Sequence, residues 1–295
     1  MSRDHEIIVA RRAGFCFGVK RAVDIAFECS RNGKNVYTFG PIIHNPQVVE
    51  RLKQAGVVPV EPSIRSLKGD TATMIIRTHG VPLTTLEEIR KKGYSIVDAT
   101  CPFVKKAQNY ASLLKEKGYQ VLIVGDSKHP EVEGLVSYAG EDCVVADSVK
   151  GIKRLKKKLG VVVQTTQTET LLKEIVCKLI DKVRELKVFN TICNSTKLRL
   201  QETKLLAKKV DCMFVVGGKN SANTAQLARL SVSQGIPTFH IETADEIDMV
   251  WIKDVNRIGI TAGASTPDWI IDDLVQRIKG IKGIQEDKAR LWKTN

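Results

Sequence analysis

Short apolar runs alternate along this chain with longer stretches whose apolar residues recur every three to four positions. "VYTFG" (36–40), "VLIVG" (121–125) and "MFVVG" (213–217) are runs of the first kind, each closed by a glycine. They read as buried strands. "PFVKKAQNYASLLKEKG" (102–118) is a stretch of the second kind. Its Phe103, Ala107, Tyr110 and Leu114 fall at i, i+4, i+7 and i+11, one face of a helix, and Gly118 ends it. Strands alternating with helices predict βαβ units and parallel sheets, in which ligands gather at the carboxyl ends of the strands.

The pattern repeats. Cys16, Cys101 and Cys193 each follow a strand pattern and lead into a helix pattern. Gly40, Gly125 and Gly217 lie 24 residues beyond these cysteines, and His44, His129 and Ser221 lie 28 beyond. A third apolar run follows in each unit. "TATMIIRTHG" is read as ending at His79, "LGVVVQTT" at Thr165 and Thr166, and "NRIGITAGAST" at Ser265 and Thr266, at offsets of 63, 64 and 72. Self-similarity of this length predicts three small parallel-sheet α/β lobes in a pseudo-threefold arrangement. Their expected bounds are 1–97, 98–189 and 190–280, followed by a C-terminal tail over 281–295. The repeated cysteines, histidines and hydroxyls all fall at strand ends. Those ends are expected to converge on one site, with the cysteines at its centre.

Composition narrows the functional classes. The chain of 295 residues carries a net charge of +13. That balance suits nucleic acid, a small anionic substrate or an acidic protein partner. The densest basic run, "KRLKKK" (153–158), has no aromatic residues among its charges. It reads as a solvated helix face, and no nucleic-acid partner is expected. No run of 18 apolar residues exists and "MSRDHEIIVARR" lacks the apolar core of a signal peptide. No membrane span is expected, and a cytoplasmic location is. Seven cysteines without any CxxC argue against a disulfide framework, a zinc ribbon or a thioredoxin-type motif. Cys29, Cys143, Cys177 and Cys212 sit inside helix or strand patterns and read as buried core thiols.

Three thiolates brought together need a positive charge to hold them. Zinc on three cysteines and an iron–sulfur cluster are the two sensible occupants. Cysteines this far apart in sequence, without a CxxC clamp, fit a cluster between lobes better. Three protein ligands on a [4Fe–4S] cluster leave one iron open to a substrate oxygen. His44, His79 and His129 occupy strand-end loops in equivalent places, which favours a binding role. His5 and His240 read as structural. In "HPEV" (129–132), Glu131 is either a charge suited to a helix N-terminus or a general acid. "GGKNSANTA" (217–225) is no Walker A motif, yet Ser221, Asn223 and free N–H groups could cradle a phosphate there. "TAGAST" before Pro267 offers Ser265 for the same purpose. The pair suggests a diphosphate.

The ordered motifs "GFCFGVKRAV", "GPIIHNPQVV", "RTHGV", "DATCPFV", "HPEVEG", "QTTQT", "TICNST", "GGKNSANT" and "TAGAST" span about residues 7–280. In these the chain resembles the 4-hydroxy-3-methylbut-2-enyl diphosphate reductase family. The resemblance implies reductive removal of an allylic hydroxyl, giving isopentenyl and dimethylallyl diphosphate. It implies a central [4Fe–4S] cluster on Cys16, Cys101 and Cys193. It implies substrate binding by His44, His79, His129, Thr165, Thr166, Ser221, Ala222, Asn223 and Ser265, with Glu131 as proton donor. Ferredoxin or flavodoxin is the implied electron donor; both are acidic. One departure is visible: the family's adjacent arginine and glutamine become Arg199, Leu200 and Gln201 here, which puts the role of Gln201 in doubt. A cluster-dependent dehydratase, needing no external electrons, is the alternative enzyme reading.

Overall fold

The structure is a computed structural model describing residues 6–32, 35–43, 45–60, 72–152, 155–282 and 289–291. The first elements in chain order are β1 (Glu6–Val9), α1 (Phe17–Asn32), β2 (Val36–Phe39), α2 (Pro46–Gln54), β3 (Val57–Val60), β4 (Thr73–Ile76), α3 (Leu83–Lys91) and β5 (Ser95–Asp98). There follow α4 (Pro102–Glu116), β6 (Gln120–Val124), α5 (Pro130–Ala139), β7 (Val144–Ala146), β8 (Lys158–Val163), α6 (Glu169–Ile180) and β9 (Glu185–Val188). The last are α7 (Asn194–Ala207), β10 (Cys212–Val216), α8 (Ala222–Val232), β11 (Thr238–Ile241), β12 (Arg257–Ala262), α9 (Asp268–Lys282) and β13 (Ala289–Leu291).

The described strands form three all-parallel sheets, as the alternation predicts. Their orders are β3-β2-β4-β5, β7-β6-β8-β9 and β11-β10-β12-β1-β13. The first four places of each obey one plan. The strand that leads the lobe stands second, its successor first and the next strand third. The fourth place holds the strand that runs into a cysteine. In the last sheet that fourth strand is β1, the first strand of the chain, with Ile7 opposite Ile258 and Ile8 opposite Gly259. The lobes therefore do not follow the expected boundaries of the sequence: residues 6–9 pair with the lobe of 190–280. Residues 289–291 of the expected tail pair as β13 on the far side of β1.

Position within the sheet explains composition. The central strands β6 (QVLIV) and β10 (CMFVV) are buried along their whole length, as parallel strands covered on both faces must be. Edge strands β5 and β9 are only part-buried and can carry Ser95, Glu185 and Lys187. Successive residues of β6 serve opposite faces. Val121 and Ile123 pack with Ala107, Leu114 and Leu135 of α4 and α5, while Leu122 and Val124 pack with Leu172 and Ile175 of α6.

Several local expectations shift. α4 buries Val104, Ala107, Ala111 and Leu114, whereas Phe103 is 42% exposed; the apolar face lies one position round from the one predicted. Strands β4, β8 and β12 end at Ile76, Val163 and Ala262, so the hydroxyls and His79 lie in the loops beyond. Of the basic run 153–158, residues 153 and 154 lie outside the described residues. Lys156 and Lys157 are exposed without being helical, and Lys158 opens β8. Cys212 is buried, Cys29 and Cys143 are half-buried, and Cys177 is exposed on α6, not a core thiol. Among the described residues no helix is long and apolar enough to cross a membrane.

The chain separates into two units. One comprises Lys20–Ile42 and Val49–Cys193 and holds the first two sheets; the other comprises Met1–Val19, Ile43–Val48 and Asn194–Asn295 and holds the third.

Candidate active-site loops

The sheet order places a topological switch between the second and third strands, where the chain departs in opposite directions and leaves a crevice at the carboxyl ends. In each sheet the repeated residues flank that switch. Gly40, Gly125 and Gly217 make the same bond: each N–H donates, at 2.9 Å, to the carbonyl of the last residue of the neighbouring strand, Val60, Ala146 or Ile241. The cysteines share another. The N–H of Cys101 donates to Thr78 O at 2.9 Å, that of Cys193 to Thr165 O at 2.8 Å, and that of Cys16 to Ala264 O at 3.2 Å. Each acceptor stands two residues past the end of its strand, β4, β8 or β12. Each cysteine immediately precedes a helix, α1, α4 or α7. A helix N-terminus presents free N–H groups and the positive end of the helix dipole. All three side chains are half-buried.

In the second sheet the switch lies between β6 and β8. Pro130 starts α5, and His129 caps it, its Nδ1 accepting the N–H of Glu131 at 3.1 Å. A neutral ring in that role carries its proton on Nε2. Glu131 is 1% exposed. Its Oε1 accepts the N–H of Thr165 at 2.6 Å and its Oε2 accepts the Thr165 hydroxyl at 2.8 Å. Burial pushes the carboxyl from an ordinary 4.5 up to about 7, against the opposing pull of the two Thr165 bonds. That is the range in which a carboxyl serves as a general acid at neutral pH. Thr165 joins the two candidates, since its carbonyl holds Cys193 while its N–H and hydroxyl hold Glu131. Thr166 is exposed and accepts from Gln164 Nε2 at 3.0 Å. Gln164 Oε1 accepts the N–H of Asp126 at 3.0 Å, bridging the two loops of the switch. The sequence reading missed Gln164, although "QTTQT" contains it.

In the first sheet, Thr78 donates its hydroxyl to Ile42 O at 3.2 Å, tying the loop after β4 to the loop after β2. His79 follows it and stands edge-to-face with His129, ring centroids 5.4 Å apart. His44 lies outside the described residues.

In the third sheet, Ser221 caps α8, its Oγ accepting the N–H of Thr224 at 3.3 Å. Ala222 opens the helix. Asn223 is the informative residue: both polar atoms of its amide are buried, and neither has a hydrogen-bond partner among the described residues. An unsatisfied buried amide is costly, and here it stands in the first turn of a helix, where anions bind. Ser265 is half-buried in the loop after β12. Between these loops, Gly217 adopts φ +137°, and a Cβ there would collide with Thr266 Oγ1.

Where the chain departs from the family motif, α7 divides between surface and interior. Gln201 is exposed. Arg199 and Glu202, 2% and 7% exposed, face inward from α7. Glu202 accepts the N–H of Arg11 at 2.9 Å and of Arg12 at 2.8 Å, in the loop that leads to Cys16. Arg199 donates to Ala262 O at 2.7 Å. Thr203 and Thr261, both fully buried, share a 3.0 Å hydroxyl contact. This stripe fixes the Cys16 loop, and the sequence reading did not find it. His240 behaves as a structural residue, its Nε2 2.9 Å from Gly217 O. Among the described residues no three His, Cys, Asp or Glu side chains are grouped to hold a single metal ion.

Parallel sheets of one topology, with hydroxyls, imidazoles, thiols and a protonatable carboxyl in the loops at the carboxyl ends of their strands, define a repeat α/β protein of the ligand-binding, enzymatic kind. The chain belongs to the LytB protein family, whose sequence model matches residues 7–279. It is 49% identical over 278 residues to the 4-hydroxy-3-methylbut-2-enyl diphosphate reductase of Citrifermentans bemidjiense, covering 94% of this chain and 98% of that one. Identity to the protein of the same name from Pelobacter propionicus is 51%, covering 92% and 97%. A solved structure of (E)-4-hydroxy-3-methyl-but-2-enyl diphosphate reductase, described as the terminal enzyme of the non-mevalonate pathway, is similar at a TM-score of 0.78 and 46% identity, covering 94% of this chain and 99% of that chain. That of the E-1-hydroxy-2-methyl-but-2-enyl-4-diphosphate reductase from Plasmodium falciparum is similar at 0.86 and 26%, covering 98% and 92%.

Proposed function

We propose that this chain is a 4-hydroxy-3-methylbut-2-enyl diphosphate reductase, converting the allylic alcohol to isopentenyl and dimethylallyl diphosphate for isoprenoid synthesis. Relatives of that name share about half of its residues over nearly its full length. The structural observation that carries the reading is Glu131, a buried carboxyl with its pKa pushed up to about 7 and held against Thr165. Such a group delivers a proton at neutral pH.

Cys16, Cys101 and Cys193 are the proposed ligands of a [4Fe–4S] cluster. Their fit is chemical: three thiols, each at the start of a helix and each anchored by the same backbone bond. A cluster takes each thiolate on a different iron, so its ligands need not crowd round one point as those of a single ion do. When bound, the cluster supplies electrons and an iron open to the substrate hydroxyl.

Asn223, Ser221, Ser265 and Ala222 are proposed to receive the diphosphate, with His79, His129 and His44. Asn223 offers two donors and an acceptor that no described residue uses. Thr165 and Thr166 are proposed to face the substrate hydroxyl. Glu131 protonates through Thr165, whose hydroxyl already touches it. Ferredoxin or flavodoxin is the proposed electron source.

The test is turnover under anaerobic conditions. Protein carrying iron and sulfide should consume the diphosphate only when a reductant is supplied, and should release both products. Turnover without reductant, giving a dehydrated product, would overturn the proposal in favour of a dehydratase.

A further inference from the structure

Along α4, Phe103, Lys106 and Tyr110 fall at i, i+3 and i+7 and share one stripe. It is not the stripe that α4 buries. Phe103 is 42% exposed. Tyr110 stacks on Phe189 with centroids 4.0 Å apart and planes 7° from parallel. Lys106 Nζ lies 5.7 Å from the centre of the Tyr110 ring and Lys187 Nζ 5.5 Å from that of Phe189. Neighbouring Lys105 is matched by Asp98 at 2.6 Å. Lys106 and Lys187 have no carboxylate partner among the described residues. The result is an apolar strip carrying two uncompensated ammonium groups.

Its place in the chain gives it meaning. Phe103 is two residues from Cys101, and Phe189 is four residues before Cys193. The strip is thus built from the two segments that carry these cysteines, both within one unit. We infer that it is the docking face for a small acidic electron-carrier protein.

The inference rests on the proposed reduction. That reaction takes two electrons and two protons to turn an allylic alcohol into the hydrocarbon and water. The electrons come from two successive one-electron oxidations of the carrier, each at a docked encounter. Redox encounters of this kind use small interfaces. Their anatomy is an apolar centre with charge around it, and complementary charge speeds the encounter. A strip of one exposed phenyl ring, a stacked ring pair and two unmatched cations meets that description for an acidic partner. A nucleic acid fits it less well. The two rings lie against each other and each carries an ammonium, which takes up the faces that bases would stack on.

The test compares two electron sources in the holoenzyme. Turnover is measured with reduced plant-type ferredoxin as probe and with saturating dithionite, for unaltered protein and for the Lys106→Glu/Lys187→Glu double variant. Ferredoxin-driven kcat/KM should fall about tenfold or more, and its dependence on salt should flatten. Dithionite-driven turnover should not change. Unchanged ferredoxin kinetics would overturn the inference. So would an equal loss with both reductants in the charge-reversed pair and in the milder Lys106→Ala/Lys187→Ala pair. Loss of single-stranded RNA binding with ferredoxin kinetics intact would assign the strip to RNA instead. Failure of unaltered, cluster-loaded protein to turn over with dithionite would refute the proposed function itself, a separate result.

Discussion

Glu131→Gln removes one titrating group while keeping the shape of the side chain. In the unfolded chain the carboxyl titrates at its ordinary 4.5, and in the fold burial holds it at about 7. The folded state therefore holds this proton more tightly. The stability it contributes is fully present below about pH 4.5 and is lost as pH rises through 7. A shift of this size corresponds to about 3 kcal/mol over the whole range, of which about 2 kcal/mol falls between pH 5.5 and 8.5. The substituted amide cannot ionise, so the variant lacks this dependence. Its NH₂ also meets a Thr165 donor where an oxygen stood, a pH-independent cost of about 1–3 kcal/mol. The variant should therefore trail the unaltered protein at pH 5.5 and recover or overtake it at pH 8.5. Denaturant unfolding curves of both proteins at the two pH values measure this. A difference between them that is the same at both pH values would refute the argument that Glu131 is a buried carboxyl with a raised pKa. The same variant should bind the diphosphate substrate normally and lose most turnover.

Cys101→Ser should lose bound iron and sulfide along with activity, because a hydroxyl is a poor iron ligand; a full iron complement by colorimetric assay would remove Cys101 from the ligand set. Glu202→Ala should cost about 3–5 kcal/mol in denaturant unfolding, since two charge-assisted bonds to Arg11 and Arg12 disappear together, and stability within about 0.5 kcal/mol of the unaltered protein would show that the clamp is idle. Asn223→Ala should raise KM for the diphosphate substrate about tenfold or more, the loss of one or two bonds to a charged group, while leaving folding stability unchanged or improved because its amide has no partner among the described residues; an unaltered KM would detach Asn223 from the substrate.

Much of this architecture was legible because a fixed offset in sequence records a fixed bond in space. Gly40, Gly125 and Gly217 recur at 24 residues since each closes the same turn with the same N–H. Histidine, serine and threonine at strand ends were legible as candidate site residues because parallel sheets leave those ends open. The stripe of Arg199, Glu202 and Thr203 was not. Polar residues at i, i+3 and i+4 read as a solvent face, and only the backbone groups of Arg11, Arg12 and Ala262 make that face interior. Phe103 was misplaced for the opposite reason: an apolar ring counts toward a core stripe in sequence, whatever the smaller Val104 does beside it. The partner of β1 was hidden as well, because a four-residue run such as EIIV fits any parallel sheet and nothing local says which.

That last pairing has a consequence for how the protein is made. Among the described strands, β1 leaves the ribosome before all the others and waits for β12 and β13, which leave it after them. Closing a loop of that length costs about 5 kcal/mol in chain entropy before any contact between its ends repays it, and such distant pairings fold slowly. The Cys16 loop is held by Glu202 but takes its last bond from Ala264, so its place is incomplete on a growing chain. The first two sheets can form during synthesis with Cys101 and Cys193 already set, while the Cys16 position is completed only after translation has passed residue 264. A chain cut short before β12 would carry two cysteine loops in working order and a third that keeps its Glu202 clamp but lacks both its strand partner and its Ala264 bond.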